Sequence, residues 1–136
     1  MQSGRKPAPR PDGNTAAYWS GAKAGKLLLP RCEDCGRICF PPLPRCKYCL
    51  SEKLAWAAMS GRGTIDSFCV VHTDLVGGFS PPYAVAQVQL EEQADLLLPA
   101  NIVGARAADL RIGAPVEVVF ESREDGVVVP QFRLAS

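Results

Sequence analysis

Between residues 64 and 134 the apolar positions come in short runs, several alternating with polar residues, and each run stops at glycine, proline or a cluster of charges. Period-two alternation places successive side chains on opposite faces of a strand, so these runs predict half-buried β-strands. Residues 83–90 (YAVAQVQL) show it most plainly. Residues 64–72 (TIDSFCVVH), 94–98, 116–121 (VEVVFE) and 127–134 (VVVPQFRL) complete a set of five, and Pro130 predicts an edge or a bulge in the last. A loop with Gly77, Gly78, Pro81 and Pro82 follows the first strand, Glu91, Glu92 and Gln93 form a polar turn, and residues 123–126 form a hairpin turn. One long connection, residues 99–114, separates the third strand from the fourth. Five short strands arranged this way fit a Greek-key barrel of the OB type, and the bare pattern also admits an SH3-like barrel.

The pattern is different ahead of residue 61. Residues 1–13 are rich in proline, glycine and basic side chains and predict a disordered leader. A helix is expected over residues 14–26, capped by Asn14 or Thr15. Its adjacent aromatics, Tyr18 and Trp19, diverge by about 100°, so one can pack on its own domain while the other faces a partner. Leu27, Leu28 and Leu29 then lead as a strand into a module of residues 27–60. Leu54, Trp56 and Ala58 read as its last strand, and Gly61-Arg62-Gly63 marks the junction with the barrel, residues 61–136. The chain is expected to be mostly β.

The module of residues 27–60 is organised by its cysteines. Cys32/Cys35 and Cys46/Cys49 are two Cys-x-x-Cys pairs separated by ten residues, the spacing of a zinc ribbon. Zn²⁺ takes four thiolates at tetrahedral corners about 2.3 Å away, and two short turns supply two each. A structural Zn²⁺ is therefore expected, although a rubredoxin-type iron centre uses the same ligands. Gly36 follows the first pair, where a knuckle needs positive φ. Cys39 and Cys69 fall outside the spacing and are expected to be small buried hydrophobes, with Cys39 an alternative metal ligand. The start MQSGRKPAPRPDG lacks the apolar core of a signal peptide, so a reducing, cytoplasmic setting is expected, where such cysteines bind metal rather than form disulfides.

Composition narrows the functional classes. Hydrophobic residues at 47% and charged residues at 21% are those of a globular chain, and no run approaches the ~18 apolar residues of a membrane span. The net charge of +1 conceals an asymmetry: residues 1–62 carry eleven Lys and Arg against four Asp and Glu, and residues 63–136 carry four against ten. An acidic barrel opposes phosphate-backbone binding, which weakens a single-stranded nucleic-acid reading of the OB fold. Independent catalysis is also poorly supported. His72 is the only histidine, Glu91 and Glu92 are adjacent rather than opposed across a site, and four cysteines leave zinc no open position.

Taken in order, the elements form a specific pattern: Tyr18-Trp19, residues 27–36, Pro41-Pro42, residues 46–51, residues 61–63, residues 81–83 and residues 110–120. The chain resembles, over about residues 15–134, the zinc-ribbon/OB-fold family first catalogued as domain of unknown function 35. That resemblance implies an acyl-CoA-associated accessory subunit that binds a thiolase-like enzyme in a hetero-oligomer performing acyl transfer, thiolysis or retro-aldol cleavage. The thiolase-like chain would supply the catalytic residues and the small subunit would line the acyl-CoA channel. Under this reading Arg31, Arg37, Arg45 and Lys47 are candidates for CoA phosphates. Phe79 and Tyr83, in the loop of residues 76–83, are candidates for the pantetheine arm, and Tyr18 and Trp19 for the partner interface. The turn after Glu91 and Glu92 departs from the family, with Gln93-Ala94 where many relatives have glycine.

Overall fold

The computed structural model describes residues 9–10, 12–74, 78–123 and 126–135. Most of the expected leader, and Val76 and Gly77 of the 76–83 loop, lie outside the described residues. The helix α1 (Ala16–Lys23) is shorter than expected, and its start is held by Asp12. The Asp12 carboxylate accepts from the N–H groups of Asn14 and Thr15, both at 2.9 Å, and its carbonyl accepts from Ala16 N–H at 2.8 Å. Thr15 occupies the N-cap position without a side-chain bond into the helix. At the other end Lys26 N–H reaches Gly21 O (2.8 Å) and Gly25 N–H reaches Ala22 O (3.0 Å), a Schellman closure.

Strands β1 (Leu28–Cys32) and β2 (Leu54–Ala58) form a two-stranded antiparallel sheet running from Leu28↔Ala58 to Cys32↔Leu54. The remaining strands are β3 (Arg62–Val71), β4 (Tyr83–Leu90), β5 (Leu97–Ile102), β6 (Pro115–Ser122) and β7 (Val128–Leu134), with a 3-10 turn at Ala107–Asp109 in the long connection. They close into a barrel in the order β3-β4-β5-β7-β6. All pairings are antiparallel except β5 with β7, which meet in parallel at Ile102↔Phe132. This is the OB topology.

Three details differ from the expected pattern. The third strand starts later and runs further, because Asp95 takes a left-handed conformation (φ 64°) and its N–H donates to the Gln89 side chain (2.9 Å). No bulge accompanies Pro130, whose strand pairs with β6 continuously through Phe120↔Pro130; its other flank meets β5 only at Ile102↔Phe132. The bulge lies instead in β3, between Ile65 and Ser67. Inserting one residue there resets the alternation. Phe68 therefore packs against the core and Cys69 is exposed, correcting the expectation that Cys69 is buried.

Among the described residues the main apolar core spans the barrel, the base of the ribbon and the helix, and Cys32, Cys39 and Cys46 form a smaller cluster of their own. Barrel residues such as Val88, Leu90, Leu98, Val116 and Phe132 are continuous with Leu27, Leu29, Ile38 and Met59 from the ribbon side and Tyr18 from α1. The helix packs against both β1 and β7. The turn after β4 clasps the two modules: the Gln93 side-chain amide accepts from Ile38 N–H and donates to Ile38 C=O, both at 2.8 Å. Beside it Glu92 accepts from Ser60 N–H at 2.6 Å and Glu91 pairs with Arg62 at 3.0 Å. Gly63 lets β3 cross close under β4, since a Cβ there would lie 2.4 Å from the Gln89 carbonyl oxygen.

Candidate functional site

Among the described residues two candidate sites stand out, a four-cysteine metal centre and an apolar groove. In the centre, β1 delivers Cys32 at its end, and the two knuckles repeat one geometry. Gly36 N–H donates to Cys32 O and Leu50 N–H to Cys46 O, each at 2.8 Å. Backbone N–H groups of Cys35 and Tyr48 point at the sulfurs of Cys32 and Cys46, each at 3.4 Å. Both turns need a left-handed residue, and it is Gly36 (φ 77°) in the first knuckle but Leu50 (φ 66°) in the second. The hydroxyl of Ser51 ties the knuckles together by donating to the Asp34 carboxylate at 2.5 Å.

The four sulfurs lie within 4.8 Å of one another, and the pairs Cys32/Cys49 and Cys35/Cys46 are each 3.6 Å apart. Tetrahedral zinc at about 2.3 Å from each sulfur requires S···S separations of about 3.8 Å, whereas a disulfide requires about 2.05 Å. The spacing fits a metal. Burial would raise the Cys46 thiol, but the N–H groups of Cys49 and Tyr48, with the Cys35 and Cys39 thiols, outweigh it and bring it down to about 6. Ser51 N–H acts to lower Cys49, yet crowding by the Cys32 sulfur and burial push it up to about 12. Four thiolates in so small a space need a cation to hold them together. Cys39 is buried as expected, and its thiol also donates to the Cys46 sulfur at 3.8 Å.

The groove, of about 540 Å³, lies where α1, the Phe40–Pro42 segment of the ribbon and the outside of the barrel meet. Trp19 and Phe40 stand on one wall and Phe79 and Tyr83 on another, with Val85 and Gln131 also lining it. Tyr18 is buried beneath, edge-on to Trp19 at 4.8 Å, and its burial pushes the phenol up to about 12. The rings of Phe79 and Tyr83 meet at 5.2 Å, tilted by 34°, with the Arg123 guanidinium 5.7 Å from the Phe79 ring and paired to Glu121 at 2.8 Å. A second pocket of about 350 Å³ shares Phe79, Tyr83 and Asn101 with it. Gln131, 3% exposed, accepts from Asn101 N–H (2.7 Å) and donates to Asn101 Oδ1 (3.1 Å), supplying bonds at the seam where β5 and β7 hardly pair.

Of the residues singled out from sequence, Tyr18, Trp19, Phe79 and Tyr83 thus line one groove. The four ribbon cations do not line it. Arg31 donates to the Gly36 carbonyl (3.2 Å), and Arg45 donates to the Leu50 carbonyl (3.2 Å) and pairs with Glu52 (2.9 Å). Arg37 and Lys47 lie over the Tyr48 ring at 4.2 and 5.4 Å, and Lys47 also reaches the Phe40 carbonyl at 3.4 Å. Arg123 and Gln131 were not anticipated; the one available signal was a glutamine inside the apolar run 127–134. His72 is exposed just past β3. Glu91 sits below the ordinary carboxylate range because Ser60 and Arg62 hydrogen-bond it, which suits a structural role. No helix among the described residues is long and apolar enough to cross a membrane.

Comparison with known proteins identifies both modules. Residues 19–55 match the model for the ChsH2 rubredoxin-like zinc ribbon domain, and residues 56–121 match that for the ChsH2 C-terminal OB-fold domain. The chain is 36% identical over 107 residues to the 3-oxo-4,17-pregnadiene-20-carboxyl-CoA hydratase alpha subunit of Mycobacterium tuberculosis, covering 79% of this chain and 33% of that one. It therefore spans about a third of the length of that relative. It is 30% identical over 108 residues to the benzoylsuccinyl-CoA thiolase subunit BbsA of Thauera aromatica, covering 76% of this chain and 71% of that subunit. Among solved structures, the Ltp2-ChsH2(DUF35) aldolase superposes with a TM-score of 0.86 at 30% identity, over 95% of this chain and 100% of that one.

Proposed function

This chain belongs to the ChsH2/DUF35 family of zinc-ribbon/OB-fold proteins, and from that premise we propose that it is a non-catalytic accessory subunit of a thiolase-like acyl-CoA enzyme. In this reading the partner subunit carries the reacting groups, and this chain lends a wall to the acyl-CoA channel. The observation that carries it is the groove between α1, residues 40–42 and the barrel. It is apolar and open, and its volume, about 540 Å³, is that of a small-molecule cleft. It offers aromatic walls, the polar pair Asn101 and Gln131, and Arg123, but among the described residues no nucleophile with a general base beside it. An extended pantetheine arm, apolar along most of its length with two amides, suits such a lining. The four-cysteine centre is structural, with Zn²⁺ its occupant: all four ligands come from protein, which leaves no open position for substrate.

Names borne by relatives agree with this role, since they include hydratase, thiolase and aldolase subunits acting on CoA thioesters or assembled with an enzyme chain. The test is co-purification from native lysate, with mass spectrometry of the bound chains, followed by reconstitution. A thiolase-like subunit is expected at fixed stoichiometry, and its turnover of an acyl-CoA is expected to depend on this chain. Recovery of single-stranded nucleic acid without such a subunit would overturn the proposal.

A further inference from the structure

The floor of the groove is the outer face of the barrel sheet, and one spot on it is out of character. Along β5 the side chains of Leu98, Ala100 and Ile102 turn into the core, so Asn101 turns outward; along β7 Phe132 turns inward and Gln131 outward. Outward groups of a barrel ordinarily meet water, yet Gln131 is 3% exposed, on the strand against which α1 packs. Around the pair the floor is apolar: Val85, the direct cross-strand partner of Asn101, with Pro99 and Val129. A primary amide carries two N–H donors. Gln131 gives one to Asn101 Oδ1 (3.1 Å) and Asn101 gives one to the Ala84 carbonyl (3.0 Å), and the second N–H of each makes no bond among the described residues. The β5/β7 seam is thus closed with half of the pair's side-chain donors. A hydrocarbon laid over this spot would bury the other half without acceptors, whereas a carbonyl oxygen placed there would satisfy them.

We propose that Asn101 and Gln131 are the amide-recognition point of the groove, donating their second N–H groups to one carbonyl oxygen of a pantetheine arm whose apolar stretches lie on Val85, Val129 and the aromatic walls. The proposal rests on the acyl-CoA channel reading and deepens it, because it fixes the register of the arm. With one amide held at this point, the distance the arm advances along the groove is set, and with it the position of the thioester sulfur. An apolar groove with a few placed polar groups selects by those groups, since a ligand lacking the matching acceptor leaves them unpaired. A groove of about 540 Å³ has the size for such an arm.

The experiment titrates the full zinc-loaded, nitrogen-15-labelled chain with pantetheine and, separately, with 1-pentanethiol, which has no amide, and follows the side-chain amide signals of Asn101 and Gln131 by NMR. Pantetheine is expected to move both signals downfield, and pentanethiol to perturb Trp19 and Val85 alone. Asn101→Asp and Gln131→Glu keep the shape and an acceptor oxygen but remove the donors. Each is expected to weaken pantetheine at least about fivefold and pentanethiol by less than about twofold. Melting temperatures check that the variants fold, and if either does not, the wild-type side-chain signals decide alone. Pantetheine that perturbs Trp19 and Val85 while both side-chain signals stay in place overturns the proposal and spares the channel reading. Signals that move with the purified enzyme subunit but not with pantetheine also overturn it, assigning the pair to a protein main chain. No perturbation of the groove by pantetheine, in the chain alone or in its complex, overturns the proposal and the channel reading together; co-purification decides the accessory role separately.

Discussion

Replacing Gln93 with alanine should loosen the ribbon from the barrel. The side-chain amide makes two 2.8 Å hydrogen bonds, both to the backbone of Ile38, a residue 1% exposed and 55 positions away in sequence. Truncation leaves a buried N–H and a buried C=O without these partners. Each unsatisfied group costs about 1–3 kcal/mol, less where water can enter. Gln93 is itself half-buried, so some water will enter, and a total of about 2–4 kcal/mol is expected. Denaturant unfolding of the zinc-loaded protein measures the total, and hydrogen exchange at the Ile38 amide locates it. That amide should exchange at least about tenfold faster in Gln93→Ala, while Val88 and Leu90 in β4 change only in step with global stability. A loss below about 0.5 kcal/mol with Ile38 exchange unchanged would refute the reasoning.

Cys46→Ser should abolish stoichiometric metal binding and unfold the ribbon, as measured by elemental analysis and circular dichroism; a well-folded, metal-free variant would refute a structural metal. Gly63→Ala places a Cβ 2.4 Å from a backbone oxygen and should cost about 1–3 kcal/mol in denaturant unfolding. Gln131→Leu leaves Asn101 N–H unpaired at the β5/β7 seam and should cost about 1–3 kcal/mol by the same measurement. Tyr18 should ionise near pH 12 in an ultraviolet titration. Its folded value lies above the ordinary 10, so folding favours the neutral phenol: the contribution is complete below pH 10 and is lost as pH rises from 10 to 12.

Much of the architecture was legible because its signals are local. Cys-x-x-Cys spacing, the alternation in residues 83–90 and the glycines at the junction each act within a few residues, and all four metal ligands converge. What escaped prediction depends on contacts between distant segments. The bulge at β3 reverses which residues face inward, and nothing in TIDSFCVVH marks its position, so Cys69 was placed on the wrong side. The helix is held by Asp12, one turn ahead of the residues expected to cap it. Ribbon arginines and lysines gave no sequence signal of direction; two stack on Tyr48, one bonds a carbonyl and one meets Glu52. Gln93 stood out only as an oddity in a turn, since its partner Ile38 belongs to the other module.

The continuous core from Leu27 and Ile38 to Phe132 makes metal availability a variable of the barrel's stability as well as the ribbon's. If the two modules unfold in one transition, ligation energy at the cysteines is shared by strands that touch no sulfur. By mass action, each tenfold rise in free zinc above the dissociation constant adds about 1.4 kcal/mol to the stability of the whole chain. Under metal limitation the surface carrying Phe79 and Tyr83 would be lost together with the knuckles, so metal supply would set how much of the chain keeps its groove.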